Sequence, residues 1–213
     1  MKLVTYNIHR GTGIKNNNTL ENMIDYFNKN EIDILCLQEV LKSQHDKILN
    51  NTNFKGCYQS NVDLNNDKYG ISIYYKEDIN VHYVEGNLLT SKKEQRSFLN
   101  AQLYVNNKLL NIINTHLGLD KEERKTQIKE ILDYCENLRG KIFICGDFNQ
   151  KDVYLSNYYD TACIFDYDKI ETFAPSKSRI DYIFMSNNLR LYNYYIDFIN
   201  LSDHYPVNVI FNT

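Results

Sequence analysis

A layered α/β domain is the fold class this sequence predicts, on two observations. Apolar runs of strand length recur along the whole chain, and many are near-continuous in Ile, Leu, Val and aromatic residues, as strands covered on both faces require. Amphipathic helical stretches are interleaved with them, and helices alternating with groups of strands pack as layers. The 213 residues, 43% hydrophobic and 24% charged, suffice to bury a core without a disulfide or metal staple, and residues 1–213 read as a single domain.

Lys2–Ile8 opens the chain as a strand. Behind a Thr19 N-cap, Leu20, Met23, Ile24 and Phe27 recur at i, i+3, i+4 and i+7, which predicts a helix over 19–30. Ile32–Val40 is the next strand, and a short helix over 41–49 is expected after Glu39. Gly70–Tyr75, Phe98–Val105 and Leu109–Leu117 supply further strands. The stripe Ile128, Ile131, Leu132, Cys135 and Leu138 predicts a helix over 121–138. Asp120 with Glu123 forms its expected capping box, and Arg139-Gly140 its stop. Lys141–Cys145, Ile180–Met185 and Tyr205–Phe211 complete the strands. The tyrosine clusters at 154–159 and 192–195 are assigned to core or interface packing in preference to base stacking.

Composition narrows the function classes. With 24 Lys+Arg against 27 Asp+Glu the formal charge is −3. That argues against a histone-like grip on nucleic acid and, less strongly, against a long polyanion as substrate; a phosphate group at one local site is compatible with it. No run approaches the ~18 apolar residues of a membrane span. Met1-Lys2 leads into Leu-Val-Thr-Tyr-Asn with no apolar leader or small-residue cleavage site, so a cytoplasmic protein is expected. The five cysteines are odd in number and include no C-x-x-C pair. They read as reduced thiols, with Cys36 and Cys145 packed as small hydrophobes inside apolar runs.

The polar residues that interrupt these runs carry the functional signal. Asn7, Glu39, His116, Asp147 and Asn149 stand at or just past strand ends, while Asp181, Asp203 and His204 stand at strand starts. Such groups are costly beside buried strands unless they are paired, hydrogen-bonded or bound to metal. Gathered at one end of a sheet, they form an acidic pocket with two histidines. Glu39, Asp147 and Asp203 are hard oxygen donors suited to Mg²⁺ or Mn²⁺. His204 suits a general base or acid held by a carboxylate, with Asp181 the natural partner. Asn7 and Asn149 offer neutral donors to a phosphoryl oxygen, and Arg96 and Arg124 offer cations for a phosphate clamp. The surrounding run 92–96 reads otherwise as a charged loop, and His9, His45 and His82 as structural or surface residues.

The motifs Thr-Tyr-Asn-Ile-His-Arg-Gly, Leu-Gln-Glu-Val, Lys-Tyr-Gly-Ile-Ser-Ile, Asn-Thr-His-Leu, Gly-Asp-Phe-Asn, Arg-Ile-Asp-Tyr-Ile-Phe and Ser-Asp-His-Tyr-Pro-Val occur in order from Thr5 to Val207. In that order they resemble the endonuclease/exonuclease/phosphatase superfamily, which includes pancreatic-type deoxyribonuclease, neutral sphingomyelinases and inositol polyphosphate 5-phosphatases. The resemblance implies a four-layer α/β/β/α sandwich of two packed mixed sheets with the site at one rim. It implies Glu39 as principal Mg²⁺ ligand with Asn7 beside it, and Asp203 near the metal. Asp147 would position or activate the attacking water, Asn149 would bind the phosphate, and His204 with Asp181 would form the base or phosphate-stabilising dyad. His116 is placed across the scissile phosphate, and Tyr69 and Arg96 match family positions near it. The glutamate that partners this histidine in the deoxyribonuclease branch has no clear counterpart.

The expected activity is Mg²⁺-dependent hydrolysis of a phosphodiester, or phosphomonoester, by an activated water, with Mn²⁺ as a substitute. One alternative is a DNA endonuclease, exonuclease or repair nuclease of the same superfamily, which calls for basic, aromatic-bearing loops. Another is a non-catalytic binding protein on the same scaffold, which calls for gaps in the residue set. The expected partner is a phosphate-ester substrate (small molecule, nucleic acid or lipid headgroup), with no membrane span and a monomeric state.

Overall fold

Two mixed sheets of six strands each lie face to face in the computed structural model, which describes residues 1–64, 66–187 and 189–212. The chain begins with β1 (Lys2–Asn7), a 3-10 turn (His9–Gly11), α1 (Leu20–Lys29), β2 (Ile34–Leu41) and α2 (Lys42–Asn50). It continues through β3 (Phe54–Leu64), β4 (Asp67–Lys76), β5 (Asn80–Leu89), β6 (Arg96–Val105), β7 (Lys108–His116) and α3 (Lys121–Cys135). It closes with β8 (Lys141–Asp147), β9 (Tyr158–Asp160), α4 (Thr161–Ile164), β10 (Asp181–Ser186), β11 (Arg190–Ile196) and β12 (Val207–Asn212).

The sheet orders are β11-β12-β1-β2-β4-β3 and β5-β6-β7-β8-β10-β9. Each centres on one parallel pair, β1 with β2 and β7 with β8, flanked by antiparallel neighbours. This pairing puts chemistry at one rim. The parallel strands end there, delivering Asn7, Glu39, His116 and Asp147, and their antiparallel neighbours start there, delivering Tyr69, Arg96, Asp181 and, just before β12, His204.

Between the sheets lies an apolar layer that includes Leu3, Ile34, Cys36, Ile71, Ala101, Ile112, Phe143, Cys145, Ile183 and Val209. The outer face of the first sheet is covered by α1 and α2, whose Leu20, Met23, Ile24, Phe27 and Ile48 pack on Val4, Tyr6, Leu35 and Tyr74. The outer face of the second is covered by α3, with Ile131 and Cys135 among Phe98, Ile113, Ile144 and Phe184. The result is the α/β/β/α sandwich. Full burial of a side chain such as Phe27 or Met23 contributes roughly 2–3 kcal/mol, so the helices are held by their apolar stripes.

Helix ends differ in detail from the sequence reading. Thr19 does not cap α1 with its side chain; its hydroxyl donates to the Gly11 carbonyl, and the Asn18 side chain accepts from Leu20 N instead. Asp120 caps α3 by accepting from Glu122 N and Glu123 N. The Glu123 carboxylate is turned inward and accepts from Lys92 N and Gln127 Nε2. Among the tyrosines assigned to packing, Tyr194 is buried but Tyr159 and Tyr192 are exposed, because alternate side chains on edge strands face solvent, and Tyr154 is exposed in the loop before β9.

One buried polar bridge joins the sheets beneath the rim. Gln38 Nε2 donates to Asn114 Oδ1 (2.6 Å) and Thr5 Oγ1 (3.0 Å), and Asn114 Nδ2 donates to the Leu37 and Ser72 carbonyls (2.9 Å each). All four side chains, Ser72 included, are fully buried. Leaving one such group unpaired costs about 1–3 kcal/mol, so the bridge fixes the mutual position of β2 and β7. Those are the strands that carry Glu39 and His116.

Candidate active site

Local irregularities aim the rim residues. Between Leu37 and Val40 the register of β2 with β4 slips by one residue, and Glu39 adopts φ +57°. A bulge of this kind redirects a side chain that a regular strand would bury, at a cost of order 1 kcal/mol for left-handed backbone. At β8, Gly146 has φ +135°, and a Cβ there would sit 1.9 Å from the Thr115 carbonyl oxygen, so only glycine lets β8 approach β7 where Asp147 leaves the sheet. Asn149 follows at φ +50°, and its backbone N–H donates to Asp147 Oδ1 (2.8 Å), a turn that suits Asn.

These side chains form one connected array. Asn7 Nδ2 donates to Glu39 Oε1 (3.2 Å) and Asp147 Oδ2 (3.0 Å). Asp147 Oδ2 faces His116 Nε2 at 3.5 Å on one side and His204 Nε2 at 3.7 Å on the other. His204 Nδ1 lies 2.9 Å from Asp181 Oδ2, which also accepts from the Thr172 hydroxyl (2.6 Å). Asp203 joins through Ser202, whose hydroxyl donates to the Asn7 carbonyl, and its Oδ1 lies 3.5 Å from His9 Nδ1.

Electrostatics sorts the two histidines. Burial alone lowers His204, but Asp181 and Asp147 outweigh it and raise the imidazole to about 10, so it is charged. Burial raises the Asp147 carboxyl to about 7, against the pull of the His204 charge and with a push from Asp181. Burial, then the Arg96 and His204 charges, hold His116 well below the ordinary histidine value. Arg96 Nη1 lies 3.2 Å from His116 Nδ1, so one ring nitrogen faces a guanidinium. The Asn149 amide nitrogen, also a donor, lies 3.1 Å from His116 Nε2, so both ring nitrogens face donors and the ring is kept uncharged.

The structure brings together Asn7, Glu39, His116, Asp147, Asn149, Asp181, Asp203, His204 and Arg96, and Tyr69 lines a cavity of about 240 Å³ with Arg10, Glu39, Glu94 and Arg96. Arg124 stands apart: its guanidinium bonds the Gly118 and Leu119 carbonyls and Gln150. Sequence reasoning passed over Thr172, Ser202, Gln38, Asn114 and Glu94. Gln38 and Asn114 did leave a signal, as amides inside apolar runs. Ser202 stood inside the Ser-Asp-His-Tyr-Pro-Val motif, whereas Thr172 left no signal, because only the fold carries its loop to Asp181. Asp147, Asp181 and His204 place ligand-type atoms within 4.8 Å of one another, near enough to hold a metal ion.

A sequence profile of the Endonuclease/Exonuclease/phosphatase family matches residues 4–204. The chain belongs to this family. Its members are phosphoesterases and nucleases, and the sandwich described above is their fold. Among solved structures, TDP2 of D. rerio complexed with single strand DNA product is 16% identical, with TM-score 0.85, over 100% of this chain and 99% of that one. A mannosyl-6-phosphatase of Bacteroides thetaiotaomicron VPI-5482 is 15% identical, with TM-score 0.81, over 100% of both chains. A functionally unknown conserved protein of Enterococcus faecalis V583 is 18% identical, with TM-score 0.85, over 100% of this chain and 99% of that one. No functionally curated relative matches the sequence. Among the described residues no helix is long and apolar enough to cross a membrane.

Proposed function

We propose that this family member is a Mg²⁺-dependent phosphodiesterase, acting as a cytoplasmic, single-domain monomer on a phosphate ester by attack of an activated water. The observation that carries the reading is the unbroken array from Glu39 through Asn7, Asp147 and His204 to Asp181. Asp147, Asp181 and Asp203 surround the His204 imidazolium and Glu39 stands beyond Asn7, an excess of negative charge that a divalent cation would balance. The Glu39, Asp147 and Asp203 carboxylates are hard oxygen donors, and the buried thiols lie in the core, which suits Mg²⁺ or Mn²⁺. Both His204 nitrogens face carboxylates, and an imidazolium is no ligand, so Glu39 and Asn7, with Asp147 and Asp203, are the residues to hold the ion.

A divalent cation held by these residues would supply polarisation of the phosphoryl oxygens. Asp147 orients the attacking water and accepts its proton, a task matched by a carboxyl raised to about 7. His204, kept charged and oriented by Asp181, donates from Nε2 to a phosphoryl oxygen and stabilises the charge that builds there. Asn149 and the uncharged His116 ring bind the same phosphate from the other side, and Tyr69 and Arg96 complete its surround.

Bis(p-nitrophenyl) phosphate is the first substrate to test. Turnover should require Mg²⁺ or Mn²⁺, vanish with a chelator, and fall by at least about 10²-fold in Asp147→Ala with the circular dichroism spectrum unchanged. Near-wild-type turnover by that variant at saturating Mg²⁺ would falsify the assignment.

A further inference from the structure

The cavity at Glu39 is continued by a second, of about 510 Å³, lined by Lys92, Lys93, Glu94, Arg96, Gly118, Leu119, Asp120 and Glu123. Glu94 and Arg96 line both. Arg96 is the more deeply set of the two, its side chain 7% exposed against 48% for Glu94, and the ion pair Arg96 Nη1–Glu94 Oε1 spans 2.6 Å. The same Nη1 donates to His116 Nδ1, and Arg96 also hydrogen-bonds Tyr69. The guanidinium is therefore pinned from its buried side, while the carboxylate that neutralises it stands on the open side, where the cavities meet.

That placement has a consequence for which phosphate the site accepts. A diester phosphate carries one negative charge, and a monoester carries close to two at and above neutral pH. A fixed carboxylate at the mouth opposes the second charge about as strongly as the first. We infer that Glu94 is a specificity-determining residue: by holding the charge of Arg96 in an ion pair, it selects monoanionic diesters over dianionic monoesters. This deepens the phosphodiesterase reading and rests on it. The second cavity, beyond Glu94, then receives the group esterified to the phosphate, against Leu119, Lys92 and Lys93.

Glu94→Gln removes the charge and keeps an oxygen to accept from Arg96, so His116 remains positioned. Glu94→Asp keeps the charge. At pH 8 with saturating Mg²⁺, Glu94→Gln should raise kcat/KM for p-nitrophenyl phosphate relative to bis(p-nitrophenyl) phosphate by roughly tenfold, from one charge less at contact range in a partly screened cleft. Glu94→Asp should keep the wild-type ratio. A purely structural Glu94 would lower both substrates together in both variants and leave the ratio unmoved, and that result overturns the inference. Binding separates this failure from failure of the enzymatic reading. If the wild type cleaves neither ester, calorimetric titration with inorganic phosphate in Mg²⁺ still decides: Glu94→Gln should bind it roughly tenfold tighter, with dimethyl phosphate changing less, and equal affinities sink the proposal.

Discussion

His204 and His116 face the same carboxylate, Asp147, from opposite sides, at 3.7 and 3.5 Å, and both are nearly inaccessible to solvent. Burial pushes both toward the neutral form, yet they end in opposite states. The far nitrogen of His204 meets the Asp181 carboxylate, and that of His116 meets the Arg96 guanidinium. One partner stabilises a second ring proton and the other forbids it. Two arms of one rim therefore present a charged ring and a neutral ring to the space beside Asp147. The lesson is that equal burial of one residue type says little about its protonation; the group behind the ring decides it.

The strongest way to break this contrast is at Asp181. Asp181→Asn keeps the shape but no longer holds the His204 charge, and kcat for bis(p-nitrophenyl) phosphate should fall by about 10²–10⁴-fold. A variant retaining a tenth of wild-type turnover removes the case for a charged His204. The second arm responds differently to its own substitutions. His116→Ala should cost about 10²-fold, whereas His116→Asn, which still offers a neutral N–H, should recover part of that loss. Equal loss in the two variants would indicate that the ring acts as an acid.

A third histidine sharpens the comparison outside the rim. His45 on α2 is as buried as His204, but its Nδ1 meets only the hydroxyls of Ser72 and Tyr74 (3.2 and 2.9 Å). Burial lowers it to about 4, with Lys42 adding to the fall. Below the unfolded value of 6.5 the unfolded chain binds a proton that the folded one refuses. The stability contributed by neutral His45 is thus complete above pH 6.5 and is lost as pH falls toward 4. Urea unfolding at pH 7 and pH 4.5 should show a loss about 2 kcal/mol smaller in His45→Gln than in wild type. Identical losses would show that His45 does not titrate in this window.

How much was legible before the fold was known divides by position in the sheets. The strands read from apolar runs, β1, β2, β4, β6, β7, β8, β10 and β12, are interior ones, and the strands that were not read, β3, β5, β9 and β11, are the four sheet edges. An interior strand is covered on both faces and paired along both sides, so its sequence must be apolar nearly throughout. An edge strand tolerates solvent; β5 exposes Val81, Tyr83, Val84 and Leu88 in turn with polar neighbours, and β11 alternates around a buried Tyr194.

The site divides in the same way. The sequence marked which side chains the fold gathers at one rim, because Asn7, Glu39, His116, Asp147, Asp181 and His204 break apolar runs where an unpaired polar group is costly to bury. It determined the layered class as well, since covered strands and striped helices leave little other packing open. Tertiary structure alone decided the partners: Thr172 on Asp181, Arg96 behind His116, Glu94 in front of Arg96, and Gln38 bridged to Asn114 across the sheets. These are through-space pairs, some between neighbours in the chain and some across 20 residues or more, and the protonation of each ring follows from them. A linear pattern records where a charge stands, and only the folded geometry records what stands behind it.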